Sequence, residues 1–171
     1  MITNKYAGYM PNDFIDGHGI CVSLWTQGCP FHCPGCHNPE TWDFDGGYPI
    51  PSDIKGRIIK AISANGITRN FSVLGGEPLC DGNKELVKEI VTAVRTAYPN
   101  IEIIIWTGFT IEELEMQHDN TINEILKLSD FLIDGRYKEN ERDITLNLRG
   151  SSNQRIVDLQ RNFWYNIIKE K

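Results

Sequence analysis

The sequence lacks features that define several large classes of protein. No apolar run approaches the roughly 18 to 20 residues of a membrane-spanning helix, and the first residues, MITNKYAGYMPNDF, lack the apolar segment of a signal peptide. Basic residues are few: 17 Lys and Arg against 23 Asp and Glu give a formal net charge of -6, which argues against a nucleic-acid surface. We therefore expect a cytoplasmic protein with no membrane and no nucleic-acid partner.

Cysteine is also scarce, and its distribution is informative. The count of five is odd, and three of these residues, Cys29, Cys33 and Cys36, lie in one loop rich in Pro and Gly. A reducing compartment disfavours disulfides, so metal ligation explains the group better. Three thiolates that hold a four-iron, four-sulfide cube leave one iron open to a small molecule. The alternative is a structural zinc site, which His32 or His37 could close.

The pattern of apolar segments predicts an α/β fold. With 171 residues and 40% hydrophobic composition, we expect one domain over residues 1–171. Strands are predicted at 19–27, 71–74, 101–106 and 131–133, and helices at 54–62 (with Ser52 as N-cap), 84–98, 111–116 and 122–128. This alternation favours a parallel sheet covered by helices. Beyond it we predict a strand at 144–148, a short apolar segment at 156–159 and a final helix near 163–165.

Glycine and polar residues follow three of the predicted strands. We call these positions, at the carboxyl ends of the strands, the strand exits. They are occupied by Gly75-Gly76-Glu77-Pro78, Trp106-Thr107-Gly108 and Asp134-Gly135. Each alone is equally consistent with an ordinary turn. Carboxyl ends of parallel strands share one edge, so these segments should face the cysteine loop. The first segment lacks the Gly-Lys-Ser/Thr ending of a phosphate loop, which disfavours a nucleoside triphosphate.

The combined motifs resemble a known enzyme family. Cys29-Pro-Phe-His-Cys33-Pro-Gly-Cys36 is similar to the signature of radical S-adenosylmethionine (SAM) enzymes, and His37-Asn-Pro-Glu-Thr-Trp42 resembles the activating proteins of anaerobic ribonucleotide reductases. Residues 16–19 (Asp-Gly-His-Gly) and 149–155 also resemble segments of such activases. In the radical SAM pattern the residue before the third cysteine is often aromatic, whereas here it is Gly35.

This resemblance implies a fold, cofactors and site residues. The expected fold is a partial (β/α) barrel of the radical SAM type, with a mostly parallel sheet and helices outside. The expected cofactors are a 4Fe-4S cluster held by Cys29, Cys33 and Cys36, and SAM, which binds the open iron. The residues expected to contact SAM are Gly35, Cys36, His37, Gly75, Gly76, Glu77, Thr107 and Asp134. Cys80 is expected near the site without ligating, and Cys21 inside a strand.

The resemblance also implies a reaction and partners. The expected activity is reductive cleavage of SAM and abstraction of a hydrogen from a glycine in the large subunit of an anaerobic ribonucleotide reductase, with flavodoxin or ferredoxin as electron donor. Alternatives are activation of another glycyl radical enzyme such as pyruvate formate-lyase, or a small-molecule reaction related to carboxydeazaguanine synthesis. A non-enzymatic alternative is a zinc-stabilised binding module.

Overall fold

One eight-stranded sheet organises the part of the chain that the computed structural model describes, residues 4–160 and the backbone of residues 166–167. The strands are β1 (Lys5–Asp13), β2 (Cys21–Thr26), β3 (Tyr48–Pro49), β4 (Asn70–Gly75), β5 (Ile103–Trp106), β6 (Phe131–Asp134), β7 (Arg155–Asp158) and β8 (Asn166–Ile167). Their spatial order is β3-β1-β2-β4-β5-β6-β7-β8. The four central strands, β2, β4, β5 and β6, run parallel, as predicted. The strands that flank them pair antiparallel.

Four helices pack on one face of this sheet. They are α1 (Ile54–Ile62), α2 (Lys84–Ala97), α3 (Ile111–Met116) and α4 (Asn120–Leu128). Their apolar residues and alternate strand residues, such as Phe71 and Val73 of β4, form one buried core. The intervening Ser72 faces the other side because strand side chains alternate. None of the helices in the described ranges has the length and apolar composition needed to span a bilayer.

Helix starts follow local hydrogen bonding. α3 opens with a capping box, in which Thr110 Oγ1 accepts from the Glu113 backbone N–H (3.2 Å) and the Glu113 carboxylate accepts from the Thr110 N–H (2.9 Å). The predicted N-cap of α1, Ser52, is wrong by one residue. Asp53 occupies that position, and its carboxylate pairs with Arg57 one turn later (2.9 Å) instead of capping the backbone.

Two loops from opposite sides of the central strands cross the sheet face away from the helices. Residues 14–20 follow β1, and residues 143–150 precede β7. Ser72 Oγ donates to the Asp16 carbonyl, and Trp106 Nε1 donates to the Leu148 carbonyl (3.0 Å). Gly17 has no room for a side chain, because a Cβ there would lie 2.3 Å from the Sγ of buried Cys21. The loops are thus fixed against the strands beneath them.

Several predictions for the chain ends need correction. Residues 144–148 form turns and not a strand, because the Asp143 carboxylate accepts from both the backbone N–H (2.9 Å) and the hydroxyl (2.7 Å) of Thr145 and so bends the chain. The segment 156–159 contributes to β7, which is antiparallel to β6. Strand β1 was not predicted. The predicted helix near 163–165 lies outside the described residues.

Candidate cofactor-binding site

A cavity of about 390 Å³ lies at the carboxyl ends of the central strands, where open parallel sheets bind ligands. Its walls include most of the residues that the sequence singled out: Cys29, Cys33, Cys36, His37, Gly75, Gly76, Glu77 and Thr107. The structure therefore brings the cysteine loop and residues of all three strand exits to one place, since Gly135 also lines the cavity. The roles of these residues as ligands remain predictions.

Backbone N–H groups lie near the three cysteine sulfurs. Those of Phe31 and His32 lower the pKa of Cys29, and that of Tyr137 lowers the pKa of Cys33, each against the larger effect of burial. The backbone N–H of Asn38 donates to Cys36 Sγ at 3.4 Å. Burial raises the pKa of the Cys29 thiol to about 11, so a bound cation must offset this cost of forming the thiolate. N–H donors around thiolates are the environment that iron-sulfur clusters use.

The described residues show no preassembled site for a single metal ion. All five cysteines are free thiols, and within the described ranges no three His, Cys, Asp or Glu side chains converge as ligands of one metal ion. A zinc ion needs four ligand atoms within about 2.3 Å of one point. The ring of His32, one proposed zinc ligand, stacks on Trp42 with centroids 4.8 Å apart.

The Gly75-Gly76-Glu77 segment is bonded directly to the start of the cysteine loop. The backbone N–H of Gly76 donates to the Thr26 carbonyl, and that of Glu77 to the Gly28 carbonyl, both at 2.9 Å. A Cβ on Gly76 would lie 2.4 Å from the Gly28 carbonyl oxygen, so only glycine allows this approach. Asn83, which the sequence analysis missed, donates its Nδ2 to the same carbonyl at 3.1 Å.

Glu77 links the exits of β4 and β5. Its side chain is only 1% exposed. One carboxylate oxygen accepts from Thr107 Oγ1 (2.7 Å) and the Leu79 N–H (3.0 Å), and the other accepts from the Gly108 N–H (2.7 Å). Burial raises the pKa of Glu77 to about 7, although these three donors act in the opposite direction. A carboxylate has about four acceptor positions, so these hydrogen bonds within the protein use most of them.

Phe31, between the first two cysteines, was also missed by the sequence analysis. Its ring packs edge-on against Phe109 (centroids 4.7 Å apart), and the Arg136 guanidinium lies 4.3 Å from its centroid. A Cβ on Gly108 would lie 2.5 Å from this ring. The aromatic side chain therefore fixes the cysteine loop to the exits of β5 and β6.

Gly35 and Asp134 lie beside the cavity wall. Gly35 has φ +72°, and a Cβ there would lie 2.9 Å from the Glu139 carboxyl carbon, which explains why no aromatic residue stands at this position. The fully buried Asp134 carboxylate accepts from the Ile111 N–H (2.8 Å) and from Arg155 Nε (2.9 Å). Its neighbour Gly135 lines the cavity.

The segment 149–155, whose roles the sequence left unassigned, holds the β6 exit. Gln154 Nε2 donates to the Gly135 carbonyl (3.0 Å), and Asn153 Nδ2 donates to the Arg136 carbonyl (2.8 Å). Gly150 and Gln154 also line the cavity. These amide contacts depend on how distant segments meet, so local sequence patterns give no signal for them.

The partners of Asp134 lead to a first prediction. We expect Asp134→Asn to lower the free energy of unfolding by about 2 kcal/mol, because Arg155 loses its buried partner and keeps only the more exposed pair with Glu112, while SAM affinity stays near that of the wild type. Chemical denaturation of the apoprotein and SAM binding to the cluster-loaded protein measure the two effects. Glu124→Gln, which removes the exposed ion pair to Lys88, is the control. Weakened SAM binding with a normal free energy of unfolding would instead indicate that Asp134 contacts SAM directly.

Comparison with known proteins identifies the family. Residues 15–157 match the family model described as "4Fe-4S single cluster domain". Three relatives are named anaerobic ribonucleoside-triphosphate reductase-activating protein. The protein of Pasteurella multocida is 33% identical, over 89% of this chain and 96% of its own length. The protein of Escherichia coli K12 is 32% identical, over 91% of this chain and 99% of its own length. The protein of Enterobacteria phage T4 is 32% identical, over 89% of this chain and 92% of its own length.

These matches cover the cysteine loop, the central strands and the segment that holds the β6 exit. The model match covers well over half of the chain, and the relatives align over most of both sequences. The description of the family model favours an iron-sulfur cluster over a single zinc ion. The chain therefore belongs to the 4Fe-4S single cluster domain family and to the anaerobic ribonucleoside-triphosphate reductase-activating proteins.

Proposed function

We propose that this chain is a radical SAM activase that generates the glycyl radical of an anaerobic ribonucleotide reductase. The observation that carries the proposal is a single cavity that joins three free cysteines to the Gly-Gly-Glu strand exit. The names of the relatives supply the target. We further propose that residues 1–171 form one radical SAM domain, and that the sheet with helices on one face is its partial (β/α) barrel.

Cys29, Cys33 and Cys36 would hold three irons of a 4Fe-4S cluster, and the amino and carboxylate groups of SAM would bind the fourth. When bound, the reduced cluster and SAM supply a one-electron cleavage that gives methionine and a 5'-deoxyadenosyl radical, which takes a hydrogen atom from the target glycine. A flavodoxin or ferredoxin is the proposed electron donor. The N–H groups that reach the sulfurs stabilise their negative charge.

The protein's own groups then position SAM and exclude water. Gly75 and Gly76, of which Gly76 bonds the Thr26 carbonyl and approaches the Gly28 backbone closely, would let main-chain carbonyls approach the SAM ammonium. Glu77 and Thr107 keep the exits of β4 and β5 in register through their 2.7 Å hydrogen bond. Asp134 would help to hold the backbone of the adjacent Gly135, which lines the cavity. Gly35, Cys36 and His37 would contact SAM from the cluster side.

Two features favour the reductase over other targets of this chemistry. Segments 37–42 and 149–155 resemble activating proteins of anaerobic ribonucleotide reductases, and the curated relatives of the chain are named for the reductase. Pyruvate formate-lyase activation and the carboxydeazaguanine-type reaction remain alternatives that the experiment distinguishes.

The test is anaerobic reconstitution with iron and sulfide. We expect a brown protein whose reduced cluster changes its electron paramagnetic resonance (EPR) signal on addition of SAM, and which forms a glycyl radical only with the reductase large subunit. A colourless protein that retains one zinc ion and leaves SAM intact would overturn the proposal. SAM cleavage with radical formation on pyruvate formate-lyase, but none on the reductase, would reassign the target.

A further inference from the structure

Large apolar side chains are exposed on two loops at the mouth of the cavity. Phe14 is 70% exposed, Ile15 is 80% exposed and Ile144 is 77% exposed; within the described residues, the other large apolar side chains with comparable exposure are Met116, at 76%, and Tyr48, at 66%. We call residues 14–16 and 144–150 the mouth loops. Ile15, Asp16, Leu146 and Leu148 of these loops also line the cavity. The exposed apolar surface is therefore continuous with the cavity wall.

These loops are held in place. The buried carboxylate of Asp13 accepts from the backbone N–H groups of Ile15 (2.9 Å) and Asp16 (3.1 Å). On the other side, the Asp143 N–H donates to the Gly150 carbonyl (3.2 Å), and Trp106 Nε1 bonds the Leu148 carbonyl. Fixed backbones that present apolar side chains to solvent are typical of binding surfaces, since exposed apolar patches beside a cavity mark interaction sites.

We propose that the mouth loops are the docking surface for the glycine-bearing loop of the reductase, and that this loop carries apolar residues beside its glycine. The inference rests on the proposed function: a hydrogen atom on another protein must reach the cavity, and the partner must therefore contact the mouth. The charge of the surface agrees with an apolar peptide contact. The mouth loops contain one acidic residue, Asp16, and one basic residue, Arg149, both of which line the cavity, so neither sign of residue predominates.

The test uses the double variant Phe14→Ser/Ile144→Ser in the cluster-loaded full chain. Neither residue lines the cavity among the residues that the structure describes. The spectrum of the cluster should therefore be unchanged, as should the rate of SAM cleavage with dithionite as electron donor and no ribonucleotide reductase present. The reductase concentration that gives half-maximal glycyl radical, measured by EPR, should rise at least about tenfold, since central apolar contacts carry most of an interface's energy. Phe14→Leu/Ile144→Val should restore the wild-type value.

Met116→Ser is the matched control, because its side chain is as exposed as Ile144 but lies at the end of α3. It should leave the concentration dependence unchanged. An unchanged value in the double variant, with normal radical formation by the wild type, overturns the docking surface and leaves the proposed function intact. A wild type that cleaves no SAM overturns the proposed function instead. A third outcome is that the wild type is a dimer and the double variant a monomer, while both require the same reductase concentration. In that case the mouth loops serve self-association, and the docking proposal is wrong.

Discussion

Cys33→Ala should abolish cluster binding and SAM cleavage together. Cys33 stands between the other two proposed ligands. Burial raises the pKa of its thiol, and the nearby backbone N–H of Tyr137, from the β6 exit, acts in the opposite direction. Two thiolates cannot hold the cluster with one open iron, so we expect iron content and the visible absorbance of the reconstituted protein to fall at least about tenfold. Formation of 5'-deoxyadenosine should fall to background. Iron analysis, absorption spectra and product chromatography measure the three quantities.

Cys80→Ala is the control for this experiment. Cys80 is 7% exposed and its sulfur accepts from Asn83 Nδ2 at 3.6 Å, but the wall of the cofactor cavity does not include it among the described residues. This variant should retain the cluster and SAM cleavage. Loss of the cluster in Cys80→Ala, together with its retention in Cys33→Ala, would show that the ligand assignment is wrong.

Gly76→Ala should damage both stability and activity. A Cβ at this position would lie 2.4 Å from the carbonyl oxygen and 2.9 Å from the carbonyl carbon of Gly28. Both are backbone atoms and cannot rotate away, so the cysteine loop and the β4 exit must separate. We expect the free energy of unfolding to fall by about 3 kcal/mol. SAM cleavage should fall by about 100-fold, because a shift near 1 Å misplaces the reacting groups.

Gly56→Ala is a matched substitution in α1, where a Cβ meets nothing within 4 Å. Replacing a glycine in a helix interior should raise the free energy of unfolding by about 0.5–1 kcal/mol, with SAM cleavage unchanged. Denaturation of the apoprotein and rates of 5'-deoxyadenosine formation compare the two variants. Normal stability and activity in Gly76→Ala would show that the close approach of the two loops is not required.

The central part of the fold was predictable because its signals are local. Apolar segments such as 101–106 and amphipathic segments such as 84–98 correspond to β5 and α2, with shifts of one or two residues at their ends. The segment 144–148 was misread as a strand because its alternating apolar residues have the same pattern. There, the Asp143 side chain and the positive φ of Leu148 (+56°) determine the turn conformation.

The candidate site was predictable only in part. Cysteine spacing and the glycines at strand exits indicated Cys29 to Cys36, Gly76 and Glu77, because these residues are constrained by chemistry or by backbone shape. Phe31 and Asn83 were missed, and Gln154 was singled out only as part of segment 149–155 without a role, since their hydrogen bonds or ring contacts join segments far apart in sequence. Asp134 shows the reverse case: its position was anticipated, but its pairing with Arg155 could be found only in the folded chain.

Two loops cross the sheet face away from the helices, and this arrangement constrains when the site can be assembled during synthesis and folding. The cysteines occur early in the chain, whereas the N–H of Tyr137, the Leu148 carbonyl and the amide of Gln154 come from its last third. During synthesis the cysteine loop is therefore made long before the groups that enclose it. Because such long-range contacts form late in folding, the enclosed site is completed only after β6 and β7 have paired. Cluster insertion before that stage meets an exposed loop, and insertion after it must pass through the mouth of the cavity.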